Sequence, residues 1–345
     1  MNATSHVHLP TLAALLLSIL VASCGGDSTG GGTQWRLAIE EAPGSVQDAY
    51  AQEFARLVAE RTDGAVSVTV YPYGALGTSD DITEQLRMGG LQFAMSSPGH
   101  LGKSIPELQA LLLHFLFTDD EATNRAALAD PEIRAAVEPL FPPLGLELMS
   151  ILPEGWMVWT TKQPVRGPED FAGIKTRTMT SPLLLATYDA FGANPQAMPY
   201  GEVYSALQLD MIDAQVNPLF AIEEMSFYEV TDYLVRAKPA PFLTTFLSNH
   251  DFLAGLAPEL RATVDGIVAD LEPFLAEHQR SVNEERLAEM LAAKPSLTVI
   301  ELEPAEREAF RELAQPLRDV YLERAGQGGQ EVLDALESAI ERARG

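Results

Sequence analysis

Two side chains able to hold an acid group close short runs in the stretch from Pro164 to Pro218. Arg177 ends the run Gly173-Ile174-Lys175-Thr176-Arg177, and Asn217 ends a second run that begins at Met211 and stops at Pro218. Between them the pattern predicts a helix, a Gly-Ala-Asn-Pro turn at 192–195, and a second helix opening at Tyr200-Gly201-Glu202. In an open α/β sheet, ligands sit beyond the carboxyl ends of the strands. Arg177 and Asn217 are therefore expected at neighbouring strand ends, where a guanidinium fork and an amide can hold one carboxylate. Each has a plainer use, because a lone arginine after a strand is commonly solvated and Asn-Pro is a frequent turn pair. Tyr200 is a candidate for the pocket wall. Glu202 reads equally well as an acid that favours a helix N-terminus.

Signals for catalysis are thin. His6 and His8 fall in the N-terminal segment, and His100, His114, His250 and His278 are far apart. The chain has no H-E-x-x-H, P-loop, G-x-S-x-G or cysteine-rich metal spacing. Neither a cofactor nor a metal is expected. The run Gly326-Gln327-Gly328-Gly329 reads as a loop. With 49 Asp+Glu against 23 scattered Lys+Arg, the formal charge of −26 argues against a nucleic-acid partner, whose backbone demands basic patches. Such a surface repels anions at long range, although salt screens the effect beyond ~8 Å. An acid-binding site must then be made locally, which raises the weight on each cleft arginine.

Residues 1–23 read as a lipoprotein signal peptide, with an apolar run from Leu12 to Val21 and the small residues Val21-Ala22-Ser23 before Cys24. Cys24, the single cysteine, is the expected lipidation site, and residues 24–33 form a Gly/Ser/Thr linker. The leader lacks Lys or Arg before its apolar run. The expected location is the periplasm, with the membrane reached only through a lipid anchor.

Strand and helix signals alternate through the rest of the chain, as in an α/β domain. Trp35 to Ile39 reads as a strand, and Ser45 caps a helix whose apolar face carries Val46, Tyr50, Phe54, Leu57 and Val58. Val66 to Val70 and Leu91 to Met95 are further strands, with a helix from about Asp80 to Met88 between them. By the strand-end rule, Glu40 and Glu41, and Ser96 and Ser97, can face a cleft. Glu40 is the candidate acceptor for a ligand hydroxyl or ammonium group, and Ser97 joins it. Trp156 to Thr160 opens a second lobe, Ala240 to Asn249 returns to the first, and Pro258 to Lys294 is one long helical pattern containing Pro273.

The stretch also resembles the DctP-type solute-binding proteins of TRAP transporters. The carrying residues are Pro164, Asp170, Gly173, Lys175 and Arg177, then Gly192-Ala193-Asn194-Pro195 and Met198. They continue through Glu202-Val203-Tyr204-Ser205-Ala206-Leu207-Gln208, Ile212-Asp213-Ala214-Gln215-Val216-Asn217-Pro218 and Phe227-Tyr228-Glu229-Val230. Upstream pieces are Thr62-Asp63-Gly64, Tyr71-Pro72 with Leu76-Gly77, and Glu84-Gln85-Leu86 with Gly90. The resemblance implies a two-lobed α/β periplasmic-binding fold with a long helix spanning both lobes. Lobe I is expected at 34–154 and 243–282, and lobe II at 155–242 and 283–345. It further implies capture of a small organic acid, with Arg177 on the carboxylate, and delivery to the membrane subunits of a sodium-driven TRAP permease.

Two departures bear on the ligand. Many members carry a second arginine where this chain has Met157, and a glutamate where it has Val216. Trp159 stands two residues beyond Met157 on the same strand face. Loss of a charge and gain of apolar bulk suggest a monocarboxylate with an apolar body. The plainer role of Trp156 and Trp159 is core packing. A sensor reporting an acid to a membrane receptor is the alternative function, and a periplasmic hydrolase or lyase is disfavoured by the missing constellation.

Overall fold

The structure, a computed structural model, describes residues 32–345. The expected signal peptide, Cys24 and most of the expected linker lie outside the described residues. The chain opens with β1 (Thr33–Ala38), β2 (Val66–Tyr71), β3 (Phe93–Ser96) and β4 (Leu146–Trp156). It continues through β5 (Val158–Thr161), β6 (Lys175–Thr178), β7 (Asn194–Ala197), β8 (Ala214–Asn217) and β9 (Tyr233–Arg236). It then returns as β10 (Pro241–Asn249) and ends the strand set with β11 (Thr298–Glu301).

Two mixed sheets result, ordered β2-β1-β3-β10-β4 and β11-β9-β5-β8-β6-β7. In the first, β1 runs parallel to β2 and β3, while β10 runs antiparallel to β3 and β4. In the second, β6 lies parallel between β7 and β8. The 192–195 turn of the sequence reading is partly a strand, because β7 starts at Asn194. Pro195 is tolerated there because β7 is an edge strand, where a missing N–H breaks no second ladder.

The lobes are joined where β4 becomes β5 and β9 becomes β10. Only Met157 separates β4 from β5, and its N–H donates to Ala240 O across the crossover (3.0 Å). Gly155 sits in this crossover at φ 125°, and a Cβ there would meet Asn283 Nδ2 at 2.5 Å. Glycine is favoured there by its backbone conformation, and any Cβ would also push Asn283 aside. The helix Pro258–Ala293, 36 residues and ~54 Å long at 1.5 Å per residue, continues on both sides of Pro273. Val264, Ile267, Leu271 and Leu275 pack with Trp35, Phe54, Phe93 and Phe246 of the first lobe. Met290 packs with Val203, Ile222 and Leu297 of the second. One helix thus spans both lobes.

Three expectations change. The chain end does not complete the second lobe: the helix Leu317–Arg344 buries Leu317, Tyr321, Val332, Leu336 and Ile340 against Leu108, Leu128, Ile133 and Leu146. Tyr321 OH donates to Glu107 O (2.9 Å), and Arg342 pairs with Asp130 (2.9 Å). Its apolar stripe matches the surface left open by Glu121–Leu128 and Pro131–Val137. The glycine run at 326–329 is a kink in this helix, with Gly326 at φ 61°, ψ −146°. Met157 and Trp159, expected on a ligand, are both core residues. Trp159 stacks edge-on against Phe171 and Phe310 (both 5.0 Å), and its indole N–H donates to Tyr188 OH (2.9 Å). β5 is an interior strand buried on both faces, so its tryptophan faces packing instead of solvent.

Candidate functional site

Strands β1, β3, β6 and β8 all point their carboxyl ends at the space between the lobes. A cavity of about 30 Å³ lies there, lined from the first lobe by Glu40, Glu41, Ser97 and His100 and from the second by Arg177, Tyr200 and Asn217. Six residues named in the sequence reading therefore converge: Glu40, Glu41, Ser97, Arg177, Tyr200 and Asn217. The lobes are drawn close over it. Met179 Cε and Sδ lie 2.7 Å from where a Cβ on Gly99 would sit, and Gly201 N–H donates to Tyr73 OH (3.1 Å). A larger groove, about 750 Å³, follows β4 and the long helix. Its charges largely neutralise one another, as in Arg261 with Glu147 (3.0 Å), so it offers a ligand little.

Arg177 is 1% exposed. Its Nε and Nη2 both donate to Met198 O (3.0 and 2.8 Å), which fixes the guanidinium plane. Among the described residues no carboxylate lies within ion-pair distance of it. Burial pulls its pKa down to about 10, partly offset by the hydroxyls of Tyr200 and Tyr73. A buried cation without a counter-charge is costly and is normally paired. Asn217, also buried, donates from Nδ2 to Gln215 Oε1, which in turn is fixed by Gln215 Nε2 donating to Thr160 Oγ (2.9 Å). That leaves Asn217 Oδ1 for the cavity. Tyr200 packs edge-on against Tyr73 (5.6 Å) and its OH donates to Ala221 O (3.3 Å).

The glutamate doublet divides its work. Glu40 is used internally: Oε2 accepts the Ser97 N–H (2.8 Å), and Oε1 lies 3.0 Å from His100 Nδ1. It braces Ser97 and His100 more than it offers itself to a ligand. Glu41 accepts the Gln47 N–H on Oε2 (3.1 Å), while its Oε1 is buried without a partner. Glu41 is thus the better placed of the two, although the sequence reading chose Glu40. Past the last strand residue the backbone no longer alternates, so spacing cannot say which of two adjacent acids turns inward. His100 was also missed; its signal was its place three residues after Ser97.

Carboxyl groups behind the cavity are held toward their neutral form. Burial, then the charge of Glu154, keeps Glu41 well above the ordinary carboxylate range. Burial pushes Glu154 up to about 8. Burial and the charge of Glu41 push Glu224 up to about 8. Among the described residues no cluster of three or more His, Cys, Asp or Glu is arranged to hold a metal ion, and no helix is long and apolar enough to cross a membrane.

The sequence pattern of the family described as bacterial extracellular solute-binding protein, family 7, matches residues 37–324. The chain is 38% identical over 344 residues to the ectoine-binding periplasmic protein TeaA of Halomonas elongata, covering 99% of this chain and 97% of that protein. It is 36% identical over 307 residues to the ectoine/5-hydroxyectoine-binding periplasmic protein UehA of Ruegeria pomeroyi, covering 89% and 90%. The high-resolution structure of the periplasmic ectoine-binding protein of the TeaABC TRAP transporter of Halomonas elongata superposes with a TM-score of 0.87 at 39% identity, covering 90% of this chain and 99% of that one.

Proposed function

The chain belongs to the family-7 bacterial extracellular solute-binding proteins, as the solute-binding component of a TRAP transporter, and on that premise we propose that its cavity captures a small zwitterion of the ectoine type. The family binds solutes and catalyses nothing. Its members hand a small ligand to membrane permease subunits, here taken to be sodium-driven. The observation that carries the ligand reading is the opposition of two unsatisfied groups across one cavity: buried Arg177 without a carboxylate, and Glu41, whose Oε1 has no partner. A molecule with a carboxylate at one end and a delocalised cation at the other satisfies both. Ectoine is a cyclic amidinium carboxylate, and two relatives are named for binding it.

This keeps the acid end expected from the sequence. The apolar body loses its basis, since Met157 and Trp159 pack in the core. In this reading Asn217 Oδ1 adds an acceptor for a ligand N–H, Tyr200 supplies an aromatic wall, and Glu40 and Ser97 hold the first lobe's side in shape. Lobe closure buries the ligand, and its preference for the closed form sets the shift in population. Acylation of Cys24 remains our proposal for anchoring, tested by labelling cells with a fatty-acid analogue and comparing Cys24→Ser.

Titration calorimetry against ectoine, 5-hydroxyectoine, succinate and an aromatic monocarboxylate tests the ligand. We expect the two zwitterions to bind best. Arg177→Ala should lose at least ~30-fold in affinity, the ~2 kcal/mol floor for stripping one partner from a buried charged pair. Tighter binding of succinate, or full affinity in Arg177→Ala, would sink this reading.

A further inference from the structure

Glu40, Glu41 and Glu154 are buried around or directly behind the cavity, and Oε2 of half-buried Glu224 is enclosed as well. They come from separate elements. Glu40 and Glu41 follow β1, Glu154 lies in β4 at the crossover, and Glu224 ends the second-lobe helix Leu219–Glu224. Glu224 reaches over the lobe boundary, where its Oε1 accepts the Ala42 N–H (2.8 Å). Gln47 ties the inner pair together, giving its backbone N–H to Glu41 (3.1 Å) and its Nε2 to Glu154 (3.2 Å).

Three carboxyl oxygens are left without partners: Glu41 Oε1, Glu154 Oε2 and Glu224 Oε2. The cations facing them do not balance the cluster. Arg177 stands across the cavity, and Arg286 of the long helix is engaged by Glu223 (3.5 Å) and Glu289 (2.7 Å). His100 faces Glu40, and Tyr200 and Tyr73 add only neutral hydroxyls. Like charges crowded into a space poor in water do not all ionise. A proton on either Glu41 or Glu154 converts two orphaned acceptors into one hydrogen bond.

We propose that the empty cavity stores a proton on the Glu41–Glu154–Glu224 cluster, and that a cationic ligand group seated against Glu41 expels it, so that capture releases a proton to solvent. This rests on the zwitterion reading above. The raised positions of all three acids agree with it. The step is a plain acid dissociation: the O–H bond breaks, its electron pair stays on the carboxylate, and the proton goes to buffer. The sign follows. A cation beside Glu41 favours the ionised form, the bound state holds fewer protons, and affinity rises with pH while the empty cluster stays protonated.

Two measurements decide it. Infrared spectra of the ligand-free protein at neutral pH should show the carbonyl stretch of a neutral carboxylic acid, diminished in Glu154→Gln and in Glu224→Gln. Calorimetry with ectoine, repeated in buffers of different ionisation heat, should give release of up to one proton and an affinity rising up to ~tenfold per pH unit. Both should shrink in Glu154→Gln while ectoine still binds. Tight ectoine binding with no buffer dependence overturns the proposal, as does the absence of any neutral-acid band. If ectoine fails to bind while the band is present, the ligand reading fails and the stored proton stands.

Discussion

Replacing Glu224 by glutamine should stabilise the ligand-free protein, and only above mildly acidic pH. In the folded chain the Glu224 carboxyl is raised from 4.5 to about 8, first by burial and then by the charge of Glu41. A folded-state acid with a raised pKa binds more protons than the unfolded chain does. Stability is therefore lost as pH rises from about 4.5 toward 8, at about 1.4 kcal/mol per unit. By pH 7 the withheld stability approaches ~3 kcal/mol as an upper bound. Glutamine keeps an oxygen for the Ala42 N–H, now at 2.8 Å from Glu224 Oε1, and removes the charge that Glu41 faces. Thermal melts of both proteins without ligand should coincide near pH 4.5 and diverge steadily by pH 8. At pH 7 the variant should melt several degrees higher, since ~1 kcal/mol moves a domain of 150–250 residues by ~2–4 °C. A variant that is equally stable or less stable at pH 8 would refute the claim that burial strains this group.

Gly99→Val should hinder lobe closure, because a Cβ there meets Met179 at 2.7 Å. We expect ectoine affinity to fall about tenfold, ~1.4 kcal/mol, with a more open small-angle scattering profile and an unchanged melt. Unchanged affinity and shape would show that the contact is dispensable. Trp159→Leu should cost about 2–4 kcal/mol of stability through the cavity left among Phe171, Phe191 and Phe310, measured by urea unfolding. Its affinity for ectoine should hold within twofold. A large affinity loss in the folded variant would return Trp159 to the pocket.

The strand-end rule made half of the site legible. It needs only strand boundaries, and Arg177 and Asn217 declared theirs through a Gly before one run and a Pro after the other. It failed at Trp159 for a specific reason. Alternation says which side chains share a face, but β5 is buried on both faces, so sharing a face with Met157 said nothing about solvent. Residues 317–344 are placed in lobe II by resemblance alone, and an amphipathic stripe does not name the surface it covers. That surface came from Glu121–Leu128 and Pro131–Val137, some two hundred residues earlier. Glu41 was passed over in favour of Glu40 for a third reason. Its importance lies in an oxygen with no partner, a property of the assembled cavity and of no sequence window.

The surface charge and the cavity then become one argument. A chain at −26 repels a dicarboxylate before it arrives, and within ~8 Å of the cavity that repulsion is no longer screened. A zwitterion carries no net charge and meets no such barrier. What it meets inside is a dipole of the opposite sense, with Arg177 on the second lobe and Glu41 on the first. Each lobe alone presents one unsatisfied group, Arg177 on the second and the partnerless Oε1 of Glu41 on the first. Only the closed form offers both ends at once, so a ligand with two charges favours closure more strongly than one with a single charge, which leaves the opposite lobe unsatisfied. The surface acids thus keep anions away, while buried Arg177 and Glu41 favour closure over a ligand that carries both charges.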